Sequence, residues 1–198
     1  LPRPNQPGIP WRLWFQEKTH GMARSDARST APLRLAAARR LPHPQIVLMA
    51  DREGDLYELH DGVQVGPPNV HVLIRAQHDR QLEGHAKLWA FLAQQPLGES
   101  RDLDLPRRGN RPARRARVEM RWASVTIQAP AVGPKKGWPA LTLRAVWVHE
   151  PAPPPGSEPL DWMLLTDLPV QTVAQAWEKV QWYCRRWGIE EWHRGLKS

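Results

Sequence analysis

The segment Gln45–Ala50, QIVLMA, is the feature that most constrains the fold, because every residue after Gln45 is apolar. A strand without polar alternation has to be buried on both faces, which is typical of the parallel sheets of α/β proteins. Asp51 follows this strand directly. A carboxylate at the carboxyl end of a central strand lies at a rigid sheet edge, where α/β proteins hold their ligands.

The middle of the chain has a different pattern. Residues 113–122 alternate between apolar and charged side chains, which predicts a half-buried strand with a charged outer face. Further short β segments are predicted at 124–128 and 141–149, separated by stretches rich in Pro and Gly. We therefore expect a β-rich unit between two α/β parts.

The flanking parts contain both strand and helix patterns. Strands are predicted at 9–15, 70–76 and 160–165, and helices at 85–94 and 172–197, with a break near Gly188. Residues 24–40 are polar and are expected to be helical or mobile. The predicted division is residues 1–75 for the first part of the core, 76–158 for a β-rich insertion domain, and 159–198 for the last strand and the long helix.

The chain is basic, with a formal net charge of +8 that is concentrated in a run of arginines at 107–121, opposed there only by Glu119. A basic excess favours a polyanionic partner, although it also serves solubility. The chain has 1 Cys, which excludes a disulfide framework and a thiolate zinc site. No apolar run approaches the ~20 residues of a membrane helix, so no membrane partner is expected.

Two groups of residues suggest chemistry. The first is the segment 51–55, DREGD, whose carboxylates suit a hard cation such as Mg²⁺; a polar turn is the alternative interpretation. The second is a single face of the predicted last helix, where the 100° helical step places the side chains within about 60° of one another. Its members are Tyr183, Arg186, Glu190 and Lys197, with Arg194 beside them. A solvated face with ion pairs is the alternative there.

Together these features resemble the IS-four family of Tn-five-transposase-like DDE transposases from bacterial insertion sequences. The match lies in DREGD and in the spacing Tyr183-x2-Arg186-x3-Glu190-x6-Lys197, which is similar to the Y-R-E-K signature of the family. The segment between the two motifs leaves room for the β insertion that the family has there. The resemblance implies an RNase H-like α/β core, a mixed sheet with helices, interrupted by a β-rich insertion domain.

The resemblance also implies roles for single residues. Asp51 and Glu190 are expected to be catalytic acids and ligands of two Mg²⁺ or Mn²⁺ ions. DNA contacts are expected from Arg75, Tyr183, Arg186, Arg194 and Lys197. Trp162 lies where the family stacks an extruded base, although its strand pattern alone predicts an ordinary buried Trp.

The function implied is cut-and-paste DNA transposition, with a hairpin intermediate and strand transfer. The expected partners are double-stranded DNA and, in the synaptic complex, a second copy of the protein; the expected location is the bacterial cytoplasm at the nucleoid. The first catalytic Asp of the family has no counterpart, because Asp26 follows no apolar strand, so a central fragment is expected. Two alternatives stay open: a catalytically inactive DNA-binding remnant, and a basic structural domain whose tryptophans all lie in its core.

Overall fold

The computed structural model describes residues 11–15, 45–84, 87–107 and 112–195, and it describes the backbone alone for 11–15 and 187–195. The strands are β1 Trp11–Phe15, β2 Gln45–Ala50, β3 Val70–Arg75, β4 Glu99–Leu105, β5 Arg114–Ile127, β6 Leu141–His149 and β7 Asp161–Thr166. The helices are α1 Tyr57–Gln64, α2 Leu88–Ala93 and α3 Val173–Gly195, and a 3₁₀ turn covers Arg52–Gly54.

All these strands belong to one seven-stranded sheet with the order β1-β2-β3-β7-β6-β5-β4. The first three strands are parallel, and every other neighbouring pair is antiparallel. β7 lies in the middle, pairing Thr166 with Leu73 of β3 on one side and Trp162 with Val148 of β6 on the other. This late strand therefore joins the parallel half of the sheet to the antiparallel half.

Successive side chains of a strand point to opposite faces of a sheet. Both faces of this sheet carry hydrophobic residues that pack against helices. On one face, Val47, Val146 and Trp162 pack with Trp177 and Tyr183 of α3. The other face packs mainly against α2 and the ring of Tyr57. Asp51 follows β2 on the face that α3 covers, so the helix and this acid are brought to the same side of the sheet.

The mixed α/β class predicted from the sequence is confirmed. Two details of the middle segment differ from the expectation: residues 114–127 form one long strand, and β4 was not predicted. β4 is an edge strand in which charged residues alternate with only two leucines, so its hydrophobic signal is weak. The strands of 76–158 continue the sheet of the flanking segments.

The long helix α3 runs continuously through Gly188, where a break had been expected. One glycine costs a helix only about 1 kcal/mol relative to alanine, so the surrounding turns can carry it. Of the helices that the structure describes, none has the length and apolar character to span a bilayer. The predictions for 1–10 and 16–44, including a helical or mobile 24–40, lie outside the described residues.

The arginines of β5 are paired, which the sequence pattern did not show. Arg115 contacts Asp104 at 3.0 Å, and Arg117 contacts Asp102 at 3.3 Å, both across the β4–β5 pair. Arg114 forms a two-pronged pair with Glu150 at 2.5 and 2.6 Å. The first two pairs are well exposed, so water and salt screen them and each adds little to stability. Within the described part of the run, three arginines are therefore paired with acids from outside β5, and Arg121 pairs with Glu119 of the same strand.

Candidate functional site

Asp51 occupies the point where β2 ends and the 3₁₀ turn begins. Its side chain accepts a hydrogen bond of 2.8 Å from the backbone N–H of Arg52, which caps the turn. The turn folds back closely on the strand, because a Cβ added to Gly54 would lie 2.3 Å from the Cβ of Ala50. Glycine at position 54 therefore allows the tight return that fixes the direction of the Asp51 carboxylate.

The Asp51 carboxylate is surrounded by donors from distant parts of the chain. The Tyr183 hydroxyl donates to Oδ1 at 3.1 Å, and the Arg186 guanidinium donates to Oδ2 at 3.0 Å. A second guanidinium, that of Arg75 at the end of β3, lies 3.8 Å from Oδ1. Arg75 is held in turn by a 2.9 Å hydrogen bond to the backbone carbonyl of Asp161. We call these four residues, Asp51, Arg75, Tyr183 and Arg186, the Asp51 cluster.

The helical spacing of α3 explains how its two members reach one carboxylate. Residues three positions apart lie on the same face of a helix, and this face of α3 packs on the sheet beside β2. The guanidinium of Arg186 also lies over the Tyr183 ring, 5.4 Å from its centroid. The pattern that predicted a shared helix face thus corresponds to a shared hydrogen-bond acceptor, because Tyr183 and Arg186 both donate to Asp51.

Trp162 supports the cluster from the sheet. Its ring meets that of Tyr183 edge-on, with centroids 5.2 Å apart, and only 4% of the residue is exposed. This is the buried position that the strand pattern alone predicts. Stacking with an extruded base, which the family resemblance implies, would require the indole to become accessible, and it stays a prediction.

The charges around the cluster shift the acidity of both its titratable members. Burial by itself would raise the pKa of Asp51, but the Arg52 N–H and the positive charges of Arg186 and Arg75 outweigh it and lower this pKa. Burial and the neighbouring Asp51 charge raise the pKa of Tyr183 to about 12. Asp51 is therefore a carboxylate and Tyr183 a neutral hydroxyl donor near neutral pH.

A second acid of the DREGD segment has a role that sequence reasoning missed. The buried carboxylate of Asp55 accepts hydrogen bonds from the backbone N–H groups of Gln77 and His78, at 2.8 and 3.1 Å. It also contacts Arg80 at 2.6 Å and His60 at 3.3 Å. Asp55 thus connects the turn after β2 with the segment that follows β3. Arg75 is the last residue of β3 and lies just before that segment. An acid next to a turn usually faces water, so the sequence held no signal for this burial.

The structure brings together five of the eight residues that the sequence singled out: Asp51, Arg75, Trp162, Tyr183 and Arg186. Glu190 and Arg194 follow on the next turns of α3, but only their backbone is described. Lys197 lies outside the described residues.

The described side chains of the Asp51 cluster are not arranged to bind a divalent cation. Both carboxylate oxygens already accept N–H or O–H donors, and two guanidinium charges lie within 4 Å of them. Across the side chains that the structure describes, no three His, Cys, Asp or Glu groups are placed to hold a metal ion. The second expected acid, Glu190, is not among them, so the Mg²⁺ or Mn²⁺ site stays a prediction.

A comparison of the sequence with protein-family models gives no match.

Proposed function

We propose that this chain is part of the catalytic region of a DNA transposase that binds and cleaves transposon ends. The observation that carries the proposal is the contact of Asp51 with Tyr183 and Arg186, which are 132 and 135 positions away in the sequence. The spacing of a signature along the sequence does not explain why these three residues contact one another. An active site built from an acid at a strand end and one face of a helix does explain the contact.

The cluster has the chemistry needed to hold a DNA phosphate. Arginine presents a planar fork of N–H donors that matches two phosphate oxygens, and it keeps its charge at all relevant pH values. Arg75 and Arg186 approach the same carboxylate from the sheet and from the helix, at 3.8 and 3.0 Å. A phosphate oxygen can therefore be held by both arginines, with the neutral Tyr183 hydroxyl as a third donor.

The finer fold assignment belongs to the same proposal. We propose an RNase H-like core made of the parallel strands β1–β3 with β7 and α3, into which 76–158 are inserted. The acids are proposed to converge at the carboxyl end of β2, with Glu190 as the second acid from α3. In the complete enzyme these acids are proposed to hold Mg²⁺ or Mn²⁺, and a homodimer is proposed to act on double-stranded DNA in the bacterial cytoplasm.

A DNA-binding remnant without catalysis is the second candidate. The favouring observation is the pairing of Asp51 with two arginines, which leaves the described cluster with a net positive charge that favours an anion over a cation. Both candidates bind DNA, so they differ only in whether the DNA is cut.

The test measures binding of an end-labelled DNA duplex by fluorescence anisotropy at several salt concentrations. We expect Arg75→Gln and Arg186→Gln each to weaken binding and to reduce the slope of log K against log salt by about 1, the effect of one lost phosphate contact. Arg185→Gln is the matched control, because Arg185 is exposed and its place on α3 points away from the cluster. Equal effects of all three substitutions would show that Arg75 and Arg186 act only through general positive charge and not as a specific phosphate site.

Cleavage distinguishes the two candidates. With Mg²⁺ or Mn²⁺ and DNA carrying the matching transposon end, the transposase proposal predicts nicks that Asp51→Asn abolishes without loss of binding. Intact DNA with the complete protein, at concentrations where binding is saturated, would favour the remnant. Absence of salt-sensitive binding would contradict both candidates.

A further inference from the structure

The guanidinium of Arg75 is held by the first residue of β7. Carbonyls on one edge of a strand are two residues apart, and on the β3 side of β7 the carbonyl of Met163 accepts from the N–H of Ala76 at 2.7 Å. The other carbonyl of this edge, that of Asp161, accepts from the Arg75 side chain at 2.9 Å. The same guanidinium lies 3.8 Å from Asp51, so Arg75 connects the start of β7 with the end of β2.

The side chain of Asp161 is in turn held by an indole of β6. Its Oδ1 accepts a hydrogen bond of 2.6 Å from Nε1 of Trp147. The indole lies nearly parallel to the ring of His149, with centroids 4.3 Å apart, and the guanidinium of Arg121 lies 5.8 Å from its centroid. Trp147 also packs with the hydrophobic residues of the face that α2 covers. Because the indole is held on several sides, its N–H points in a fixed direction and orients Asp161.

We propose that Trp147 is a positioning residue, which acts through Asp161 to hold the Arg75 guanidinium where it binds a DNA phosphate. This inference rests on the proposed function, since it assumes that Arg75 contacts DNA. The two contacts use different atoms of Asp161, the side-chain Oδ1 for Trp147 and the backbone carbonyl for Arg75. A donor that is already oriented loses less conformational entropy when its ligand binds. Trp147 therefore strengthens phosphate binding from the opposite face of the sheet.

Trp147→Phe tests the link, because phenylalanine keeps an aromatic ring beside His149 and removes the N–H donor. The fluorescence anisotropy of an end-labelled duplex measures binding by the full chain. We expect binding to weaken roughly three- to tenfold, the factor that corresponds to one hydrogen bond. Trp138→Phe is the matched control, because Trp138 packs on the same hydrophobic cluster, against the edge of Tyr57. It should bind the duplex as the wild type does.

A double-mutant cycle distinguishes positioning from a general loosening of the fold. If Trp147 acts through Arg75, Trp147→Phe should have almost no further effect on binding in an Arg75→Gln background. It should keep its full effect in an Arg186→Gln background. An equal loss in the wild-type, Arg75→Gln and Arg186→Gln backgrounds would overturn the inference and leave the proposed function intact.

A pair of Asp161 variants tests the same link from its other end, and it decides the question if Trp147→Phe does not fold. Asp161→Asn and Asp161→Ala both remove the carboxylate charge, but only asparagine keeps a carbonyl oxygen that can accept from the indole. We therefore expect the Asn variant to bind the duplex more tightly than the Ala variant. Equal binding by the two variants would contradict the role of Trp147.

Nuclear magnetic resonance of the full chain without DNA separates this inference from the proposed function. The Nη–H₂ signals of an arginine are resolved when hydrogen bonds slow the rotation of its guanidinium, and those of Arg75 are identified by their loss in Arg75→Gln. We expect resolved signals in the wild type and in Asp161→Asn, and broadened signals in Trp147→Phe and Asp161→Ala. Arg75 signals that do not differ between the wild type and Trp147→Phe would overturn the inference. If the duplex binds to no variant, the proposed function fails, whereas this measurement still shows whether Trp147 holds Arg75.

Discussion

Replacing Asp55 by Asn should strongly destabilise the protein, although the two side chains have almost the same shape. The Asp55 side chain is 0% exposed and pairs with Arg80, whose side chain is 11% exposed. Two backbone N–H groups donate to its other oxygen. An amide in this position removes the charge opposite Arg80 and turns one of its own N–H₂ donors toward other donors.

The size of the effect follows from that burial. Removing one partner of a buried ion pair costs about 3–5 kcal/mol, because the remaining charge is left uncompensated. In a chain of this length each kcal/mol lowers the midpoint of thermal unfolding by roughly 2–4 °C. We therefore expect Asp55→Asn to lower this midpoint by about 6 °C or more near neutral pH.

The pKa of Asp55 is lowered in the folded protein, because a hydrogen bond from His60 and the charge of Arg80 outweigh the effect of burial. Its stabilising contribution is complete above the unfolded-state pKa of about 3.9 and is lost as the pH falls further. The difference between the wild type and Asp55→Asn should therefore be largest above pH ~5 and should shrink in acid.

Urea unfolding at several pH values measures both parts of this prediction. Asp104→Asn is the matched control, because Asp104 pairs with Arg115 while its side chain is 82% exposed, and it should leave the free energy of unfolding almost unchanged. A similar small change for Asp55→Asn, or a difference that does not depend on pH, would refute the assigned network.

Three further predictions concern packing and protonation. Gly54→Ala should cost about 1–3 kcal/mol, and Ala50→Gly should reduce that penalty in a double-mutant cycle measured by urea unfolding; strict additivity would exclude the close contact. Glu150→Gln should cost about 1–3 kcal/mol in the same assay, and a negligible loss would show that its partly buried pair with Arg114 contributes little. Burial raises the pKa of Tyr183 to about 12 and also raises the pKa of Tyr57, so ultraviolet titration at pH ~10 should show less phenolate in the native protein than in the unfolded protein. Stability should then fall above that pH, where unfolded tyrosine ionises first.

The parts of the fold that were predictable have a strong local pattern. The apolar run of β2 and the alternation of β5 identify strands because burial on two faces or on one face leaves a direct mark on composition. The helical spacing of Tyr183 and Arg186 likewise placed both on one face. It could not show that the face meets Asp51, because that contact depends on how distant segments pair in the sheet.

The features that were missed depend on pairing between distant segments. Asp102 and Asp104 neutralise arginines of β5 only because β4 lies beside it, and β4 has too few apolar residues to be recognised. Asp55 is buried only because the segment after β3 folds over it. A short sequence motif indicates the chemistry available to a residue. The ion-pair and hydrogen-bond partners of Asp55, Asp102 and Asp104 are instead determined by which strands and loops lie beside them in the fold.

The central position of β7 has a consequence for synthesis of the protein. β3 acquires its second neighbour only when β7 emerges, and Asp51 acquires Arg186 only 135 residues after its own synthesis. At 5–20 residues per second this delay is on the order of ten seconds. During that time β3 presents an unpaired apolar edge of the kind that joins with other chains. A ribosome-bound chain that stops before β7 should therefore depend on chaperones far more than one that has completed α3.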